Sequence, residues 1–339
     1  MPLEVTILSE GLDLARLPFF EIKEGGRLAL KDTSIGPIID VHTHLAMAYV
    51  LPLRVNLHEA IWPTEHYLPM RGRRIDLDIY VNKNFTKDDL RRLKRDLTLK
   101  SVTPWGMRRT HTIPNLTREM QDLCIAQSVS LPIDYPVLSS NAITFLTALH
   151  GNDAFITFGS VHPYASDVEG ALDRHVRLGA RGVKVHPAVQ LIRPDNRRAM
   201  RLYRLCAERG LPVFFHCGPV GIEPRIGRRL SQVVYYEKPI AENQKTSFIL
   251  GHSGALQMEK ALDYCKRYPN VFMDITSQSL TNVRTILREA DPDRVLFGSD
   301  WPFYHQAISL AKVLIATEND RALQRKVLYE NATRLFRPV

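Results

Sequence analysis

The sequence predicts an α/β fold, a (β/α)8 TIM barrel with a partly helical insertion after its first strand. Eight short strand-like runs are spread along the chain, and segments with helical patterns lie between them. Most of the runs are apolar on both faces, which is typical of parallel strands covered by helices. The 339 residues suffice for a barrel of about 250 residues with additions. The turn after the first run lacks the G-x-G-x-x-G phosphate loop, so a closed barrel is favoured over an open doubly wound sheet.

Each predicted strand is a short apolar run. In chain order the runs are Pro37–Val41, Leu123–Val129, Ala154–Val161, Gly182–His186, Pro212–His216, Thr246–Gly251, Asn270–Ile275 and Arg294–Ser299. Two of the segments between them, 167–178 and 195–209, begin with Asp and are followed by Gly. Asp caps helix starts and Gly ends helices, so both segments are predicted to be helices.

The predicted domain organisation has two parts. Residues 1–36 form an N-terminal extension without strong periodicity, and residues 37–339 form the barrel. About 80 residues separate His44 from the second strand, and a loop of that length is expected to contain structure of its own. Within it, Thr86–Asp89 has the pattern of a capping box, and leucines follow at helical spacing. We therefore expect an insertion over residues 50–120 that covers the active-site face, where loops after barrel strands lie.

The charge is unevenly distributed. The formal net charge is +9, and residues 51–120 hold 14 basic and 8 acidic side chains. The simplest interpretation of this excess is a helical face exposed to solvent. The functional interpretation is a basic lid that covers an anionic substrate. Binding to nucleic acid is not expected, because no zinc-finger, homeodomain or RNA-recognition signature accompanies the charge.

We expect a cytoplasmic protein that does not interact with membranes. The sequence has no apolar run of about 18 residues and no basic start followed by an apolar stretch, so neither a membrane span nor a signal peptide is predicted. The four cysteines form no Cys-x-x-Cys pair and are interpreted as reduced thiols. The sequence leaves a homo-oligomer open.

Several predicted strands end in residues that can bind a metal. His42 and His44 lie two positions apart, so in a strand both rings project to one side. Later strand ends supply Lys184, His216, His252 and Asp300. All these ends meet at one rim of a parallel barrel. Histidine and carboxylate ligands suit Zn²⁺, and also Mn²⁺ or Fe²⁺, and the lack of cysteine ligands points to a catalytic site.

The order of these motifs resembles the amidohydrolase superfamily of metal-dependent TIM barrels, in particular its amidohydrolase-related (amidohydrolase 2) branch. The matching motifs are Ile39-Asp-Val-His-Thr-His44, Gly182-Val-Lys-Val-His-Pro187, Pro212-Val-Phe-Phe-His216, Gly251-His-Ser-Gly254, Leu296-Phe-Gly-Ser-Asp-Trp-Pro302 and the C-terminal Asn331-Ala332 with Arg334-Leu-Phe336.

The resemblance implies roles for six residues. Four match the primary metal ligands, namely His42, His44, His216 and Asp300. His252 matches the histidine that binds a second metal in two-metal members and polarises the substrate in one-metal members. Lys184 lies where two-metal members carry a carboxylated lysine that bridges the ions. One or two ions are therefore left open.

The resemblance implies a hydrolase that acts on a small carboxylated or cyclic substrate with an amide, ester or lactone bond. A metal lowers the pKa of bound water towards about 7. Asp300 would take the proton and pass it to the leaving group, and His252 would stabilise the oxyanion. The alternative is a decarboxylase of an unsaturated or aromatic acid. Lys184 and the His-x-His motif favour hydrolysis, since several decarboxylases of the branch begin Glu-x-His. A third class, a barrel that binds ligands without catalysis, would be favoured if metal analysis showed empty sites.

The remaining candidates near the rim concern the substrate. Both chemistries involve carboxylates, so we expect an anionic small molecule, for which Arg is a suitable partner. The loops after the fourth and fifth strands offer Arg193, Arg225, Arg228 and Arg229, most of which are expected to be surface charges. His186 precedes a proline and is interpreted as structural.

Overall fold

Eight parallel strands form the barrel in a computed structural model that describes residues 6–46, 54–135 and 140–336. The described residues contain twelve strands in all, in chain order β1 Ile7–Leu8, β2 Phe20–Lys23, β3 Arg27–Leu30, β4 Ile38–Thr43, β5 Ile75–Asp76, β6 Ile125–Ser130, β7 Phe155–Thr157, β8 Val183–Val185, β9 Val213–His216, β10 Phe248–Gly251, β11 Val271–Asp274 and β12 Val295–Leu296. The barrel consists of β4 and β6–β12. Residues 50–53 of the predicted insertion, the first five residues and the last three lie outside the described residues.

Helices follow most barrel strands. They are α1 Lys87–Leu97, α2 Ile113–Asp122, α3 Asn141–Ala148, α4 Val168–Arg177, α5 Pro187–Gln190, α6 Arg197–Glu208, α7 Arg225–Leu230, α8 Glu237–Glu242, α9 Met258–Arg267, α10 Leu280–Glu289, α11 Gln306–Ala316, α12 Arg321–Arg325 and α13 Asn331–Leu335. Among the described residues no helix is both long enough and apolar enough to cross a membrane.

The ring of strands closes through two short parallel bridges. One sheet has the order β12-β11-β10-β9-β8 and the other β4-β6-β7. Gly159 bridges to Val183, which joins β7 to β8, and Thr43 bridges to Trp301, which joins β4 to the segment after β12. Every neighbouring pair in the ring is parallel. The predicted (β/α)8 barrel is confirmed.

A separate apolar cluster fills the inside of the ring. Its buried members come from six barrel strands or the residues directly after them, and from the C-terminal helix: Ile39, Val41, Val129, Leu131, Phe158, Phe214, Ile249, Leu296, Ala332 and Phe336. The larger core packs between the strands and the outer helices. The barrel is therefore solid, and its rim at the carboxyl ends of the strands is the place for a site.

Helix capping follows the sequence signals. The α4 helix starts after Asp167, whose side chain accepts a hydrogen bond from the amide of Gly170. In α1, Thr86 and Asp89 form the predicted capping box. The α6 helix begins later than predicted, because Asn196 is the capping residue.

The N-terminal extension has structure that periodicity did not reveal. Strands β2 and β3 form an antiparallel hairpin, and Gly25 and Gly26 in its turn have φ values of 81° and 72°. Such positive φ values favour glycine. Strand β1 pairs with β5, which belongs to the insertion after the first barrel strand.

Candidate metal centre

Three predicted ligands come together at the carboxyl rim. The ligand atoms of His42, His252 and Asp300 all lie within 4.8 Å of one another, and all three residues are buried. His42 Nε2 lies 3.6 Å from Asp300 Oδ1, and His44 Nε2 lies 3.4 Å from the same oxygen. His42, in β4, and His44, directly after β4, thus converge on the carboxylate of Asp300 in the segment after β12.

Asp274, at the end of β11, orients this group. Its Oδ2 accepts hydrogen bonds from Nδ1 of His42 (2.7 Å) and from the backbone amide of His252 (3.1 Å). Its Oδ1 accepts from the amide and hydroxyl of Thr276, at 3.0 and 2.5 Å. With the proton of His42 on Nδ1, Nε2 is a free acceptor, which is the form that binds a metal.

His44 is held in the same way by the backbone. Its Nδ1 donates to the carbonyl oxygen of Leu131, at 2.8 Å. Nε2 is then the atom that faces Asp300. Both histidines of this motif therefore direct Nε2 towards the same carboxylate.

His216 and His186 complete the ring of imidazoles. The His216 ring lies 4.8 Å from the His252 ring, and it stacks on the His186 ring with centroids 3.9 Å apart and planes 9° apart. His186 also caps α5, since its Nδ1 accepts from the amide of Val189 at 3.3 Å. The sequence, in which a proline follows His186, suggested only a structural role for His186 and did not indicate that it stacks on His216.

Lys184 is enclosed next to these groups. Its side chain is 1% exposed, its ammonium lies 4.4 Å from the centre of the Phe214 ring, and Nζ has no hydrogen-bond partner among the described residues. Burial lowers the pKa of Lys184 to about 7, against the opposing charges of Asp300 and Asp274. A lysine with such a pKa is substantially uncharged at neutral pH, which is the form that can act as a nucleophile or ligand.

Burial also decides the charge of the imidazoles. Desolvation holds the pKa values of His42, His186, His216 and His252 well below their ordinary value, and nearby basic groups add to this shift. For His252 the charge of Asp300 opposes the shift without cancelling it. The same burial raises the pKa of Asp274. Neutral imidazoles with free nitrogens suit a metal ion.

The residues present fit a divalent cation. His42 Nε2 and His252 Nδ1 are buried nitrogens without a hydrogen-bond partner in the described structure. Unpaired buried nitrogens next to a carboxylate are costly unless something binds them. Imidazole and carboxylate donors are the set that Zn²⁺, Mn²⁺ and Fe²⁺ accept.

Close backbone contacts keep the ligands in place. A Cβ on Gly298, two residues before Asp300, would lie 2.3 Å from Asp274 Oδ1 and 2.8 Å from His42 Cβ. His252 and Asp300 have φ values of 57° and 66°, a left-handed conformation that is unfavourable for side-chain-bearing residues. Strained backbone at such positions often accompanies function.

A cavity of about 490 Å³ opens onto the centre. The cavity is lined by predicted ligands, by residues of the insertion and by residues of the loops after barrel strands. These are His44, Asn82, Leu93, Lys94, Leu97, Thr98, Ile133, His186, Ala188, Val189, His216, Val220, Ile222, Glu223, Pro224, His252, Asp300, Phe303 and Tyr304. None of the four candidate arginines lines it.

Sequence reasoning missed the polar residues Asn82, Glu223 and Tyr304 of this cavity. Tyr304 donates to Oδ1 of Asn82, and Nδ2 of Asn82 donates to the carbonyl of Val220 at 2.9 Å. Tyr304 could have been found from the sequence, because it lies two residues after the motif that contains Asp300. Nothing local marked Asn82 or Glu223, since their place depends on how two distant loops meet.

A parallel barrel with histidines and an aspartate at the carboxyl rim defines a class, the metal-dependent barrel enzymes. The model of the amidohydrolase family matches residues 139–337, more than half of the chain. The chain therefore belongs to the amidohydrolase family, and it is an enzyme with amidohydrolase-like, metal-dependent activity. His42 and His44 lie before the matched span.

Solved structures share the fold. A TIM-barrel protein from Bordetella bronchiseptica is 19% identical with a TM-score of 0.60, covering 88% of this chain and 97% of that one. A probable 2-pyrone-4,6-dicarboxylic acid hydrolase from Acinetobacter baumannii, solved with citric acid, is 14% identical with a TM-score of 0.55, covering 88% and 98%. A dihydroxybenzoic acid decarboxylase from Polaromonas sp. JS666, with bound manganese and the inhibitor 2-nitroresorcinol, is 13% identical with a TM-score of 0.56, covering 88% and 97%. No curated protein matches the sequence.

Proposed function

We propose that this enzyme is a metal-dependent hydrolase of a small carboxylated or cyclic substrate, acting on an amide, ester or lactone bond. The observation that carries the proposal is the convergence of His42, His252 and Asp300 within 4.8 Å, beside the buried amine of Lys184. These groups combine metal ligands, a proton acceptor and a hydrogen-bond donor for a polarised carbonyl.

Six residues are proposed to hold the metal: His42, His44, Lys184, His216, His252 and Asp300. Zinc is the proposed ion because neutral imidazoles and a carboxylate are its usual catalytic ligands. Manganese is the second choice, since it is bound in the related decarboxylase structure. The state of Lys184 bears on the number of ions, because carboxylation would turn its amine into a carbamate whose oxygens could act as further metal ligands.

The proposed chemistry relies on the positions of the side chains. When bound, the metal supplies a Lewis acid and lowers the pKa of water. Asp300 accepts a proton from the attacking water and returns it to the leaving group. If one ion is bound, His252, whose backbone amide is fixed by Asp274, would direct its ring to the substrate carbonyl and stabilise the negative charge that develops there; with two ions, its ring would bind the second ion instead.

The alternative function, decarboxylation of an unsaturated or aromatic acid, has its own support. The cavity walls are mainly apolar and include the rings of Phe303 and Tyr304, which can pack against an aromatic substrate. The related structure with 2-nitroresorcinol is a decarboxylase of aromatic acids. Both reactions would use the same ligand set.

Turnover in ¹⁸O-labelled water separates the two reactions. The metal-loaded enzyme is incubated with a panel of lactones, carboxylated esters and N-acyl amides, and separately with dihydroxybenzoates. Hydrolysis places one label in the product carboxylate, whereas decarboxylation releases carbon dioxide. Release of carbon dioxide without any labelled carboxylate would replace the hydrolase by the alternative.

Variants test the roles within the site. We expect Asp300→Asn to lower kcat by about 10²–10⁴ while the protein stays folded. Retention of most of the activity would refute the proton transfer. His42→Ala should lose bound metal, as measured by inductively coupled plasma mass spectrometry. His150→Ala, at an exposed turn after α3, is the matched control and should keep its metal.

Metal stoichiometry and electron density at Lys184 complete the test. Two ions with a carboxylated Lys184 support hydrolysis. One ion beside an unmodified Lys184, together with carbon dioxide release, supports decarboxylation.

A further inference from the structure

We propose that Glu223 selects substrates that carry a hydroxyl or amino group at the end remote from the reacting carbon. The side chain would accept a hydrogen bond from that donor, and it would disfavour a second carboxylate. The inference rests on the proposed function, since it assigns the substrate class of the same cavity.

The carboxyl group of Glu223 is buried and accepts no hydrogen bond from the described residues. Its side chain is 8% exposed, yet it lines the cavity. Neither Oε1 nor Oε2 has a hydrogen-bond partner in the part of the chain that the structure describes. Its nearest cation, Nε of Arg228, lies 3.9 Å from Oε1, beyond hydrogen-bond distance, and the Arg228 side chain is half exposed. A buried acceptor without a donor is costly, so a ligand that supplies one gains affinity.

The loop that carries Glu223 is held in place from two sides. The carbonyl of Val220 accepts the hydrogen bond from Asn82, and Val220 packs in a small apolar cluster with Tyr80 and Ala255. At the start of the loop, Gly218 lies against Gly254. A Cβ on Gly218 would lie 2.0 Å from the carbonyl oxygen of Gly254. Glu223 is therefore positioned before a substrate arrives, as a specificity residue must be.

The charges around the cavity favour one polarity of substrate. Among the described residues, Asp300 and Glu223 are the acidic residues that line it, and Lys94, on the exposed side of α1, is the lining cation. Arg228 does not line the cavity, and its half-exposed side chain approaches Glu223 only to 3.9 Å. The surrounding wall near Glu223 is apolar and includes Val220, Ile222 and Pro224. In such surroundings a second substrate carboxylate would meet repulsion with little screening, whereas a hydroxyl or ammonium group would pair with Glu223.

Binding of unreactive acids tests this assignment independently of turnover. The probes are alkanoates, ω-hydroxyalkanoates, ω-aminoalkanoates and dicarboxylates of four to six carbons, measured by calorimetry on the metal-saturated protein. They contain no bond to hydrolyse and no aromatic acid to decarboxylate. For at least one length, we expect the hydroxy or amino acid to bind about tenfold or more tightly than the dicarboxylate.

Three variants decide the cause of the preference. Glu223→Gln should reduce that ratio to less than about threefold, and Glu223→Lys should reverse it in favour of the dicarboxylate. Arg229→Gln, an exposed position on α7 that does not line the cavity, is the matched control and should leave the ratio unchanged. A wild-type protein without the preference, or a Glu223→Gln variant that keeps it, would overturn the assignment. If the ratio holds while no labelled carboxylate forms in any hydrolysis assay, the hydrolase proposal fails and the selectivity of Glu223 stands.

Discussion

Replacing Asp274 by Asn would test how much the orientation of His42 matters for metal binding, because the replacement leaves His42 itself unchanged. The carboxyl group accepts four hydrogen bonds, two on each oxygen. An asparagine can keep its carbonyl oxygen towards Thr276, but its NH₂ group cannot accept from Nδ1 of His42 or from the amide of His252. His42 must then lose its partner or move its proton to Nε2, the atom that faces Asp300.

The structure sets the size of the expected effects. Two lost bonds to a charged acceptor amount to about 3 kcal/mol or more. Part of this loss of stability is offset, because asparagine carries no charge. The cost of burying a charge, which raises the pKa of Asp274, is then absent. We therefore expect a net destabilisation of about 1–3 kcal/mol. Metal affinity should fall by about 10–100-fold, the usual consequence of losing a partner of a metal-binding histidine.

Competition with a chromophoric chelator measures the metal affinity, and urea denaturation measures the stability. Thr276→Val is the matched control: it removes a hydroxyl from the same carboxylate without touching the His42 contact, so we expect less than about a threefold change in metal affinity. An Asp274→Asn protein that is folded and binds metal as tightly as the wild type would refute the role of Asp274 in fixing His42.

Three further predictions concern buried charge, packing and metal. Burial lowers the pKa of Lys312 to about 7, and its Nζ donates to the carbonyl oxygen of Gln278 at 2.6 Å. The unfolded chain keeps that proton to about pH 10.5, so the free energy of unfolding should rise between about pH 7 and 10.5 by up to about 1.4 kcal/mol per unit. Lys312→Met should have a smaller slope in urea denaturation, and an unchanged slope would contradict the burial argument. Gly298→Ala should lower both Tm and metal content, because the new Cβ would collide with Asp274; unchanged metal content would show that the centre can shift. Metal removal by dipicolinate should lower the Tm of the wild type, since an ion at 100 times its Kd stabilises by about 2.7 kcal/mol, and should leave Asp300→Asn nearly unaffected.

The barrel and the neighbourhood of its ligands could be predicted because both follow from local patterns. Short apolar runs mark strands buried on both faces, and parallel strands bring their carboxyl ends to one rim. Each predicted ligand is the last residue of such a run or lies within a few residues of its end. His42, His252 and Asp300 could therefore be brought together from sequence order alone, without knowledge of side-chain contacts.

The cavity wall could not be predicted, because it depends on long-range packing. Asn82 reaches Val220, which is 138 positions away, and Tyr304 reaches Asn82 across 222 positions. The N-terminal hairpin was missed for a related reason: with strands of four residues, alternation is too short to distinguish from a loop. The arginines of the rim loops were better candidates by residue type than Glu223, yet they do not line the cavity.

The pairing of β1 with β5 has a practical consequence for anyone who trims or redesigns this enzyme. Ile7 and Leu8 are hydrogen-bonded across to Ile75 and Asp76, a few residues before Asn82. A shortened gene that starts at the first barrel strand would encode every proposed ligand but would leave the second strand of this pair without its neighbour. Such a truncated enzyme could still load metal and yet recognise its substrates poorly, so the two properties should be assayed separately.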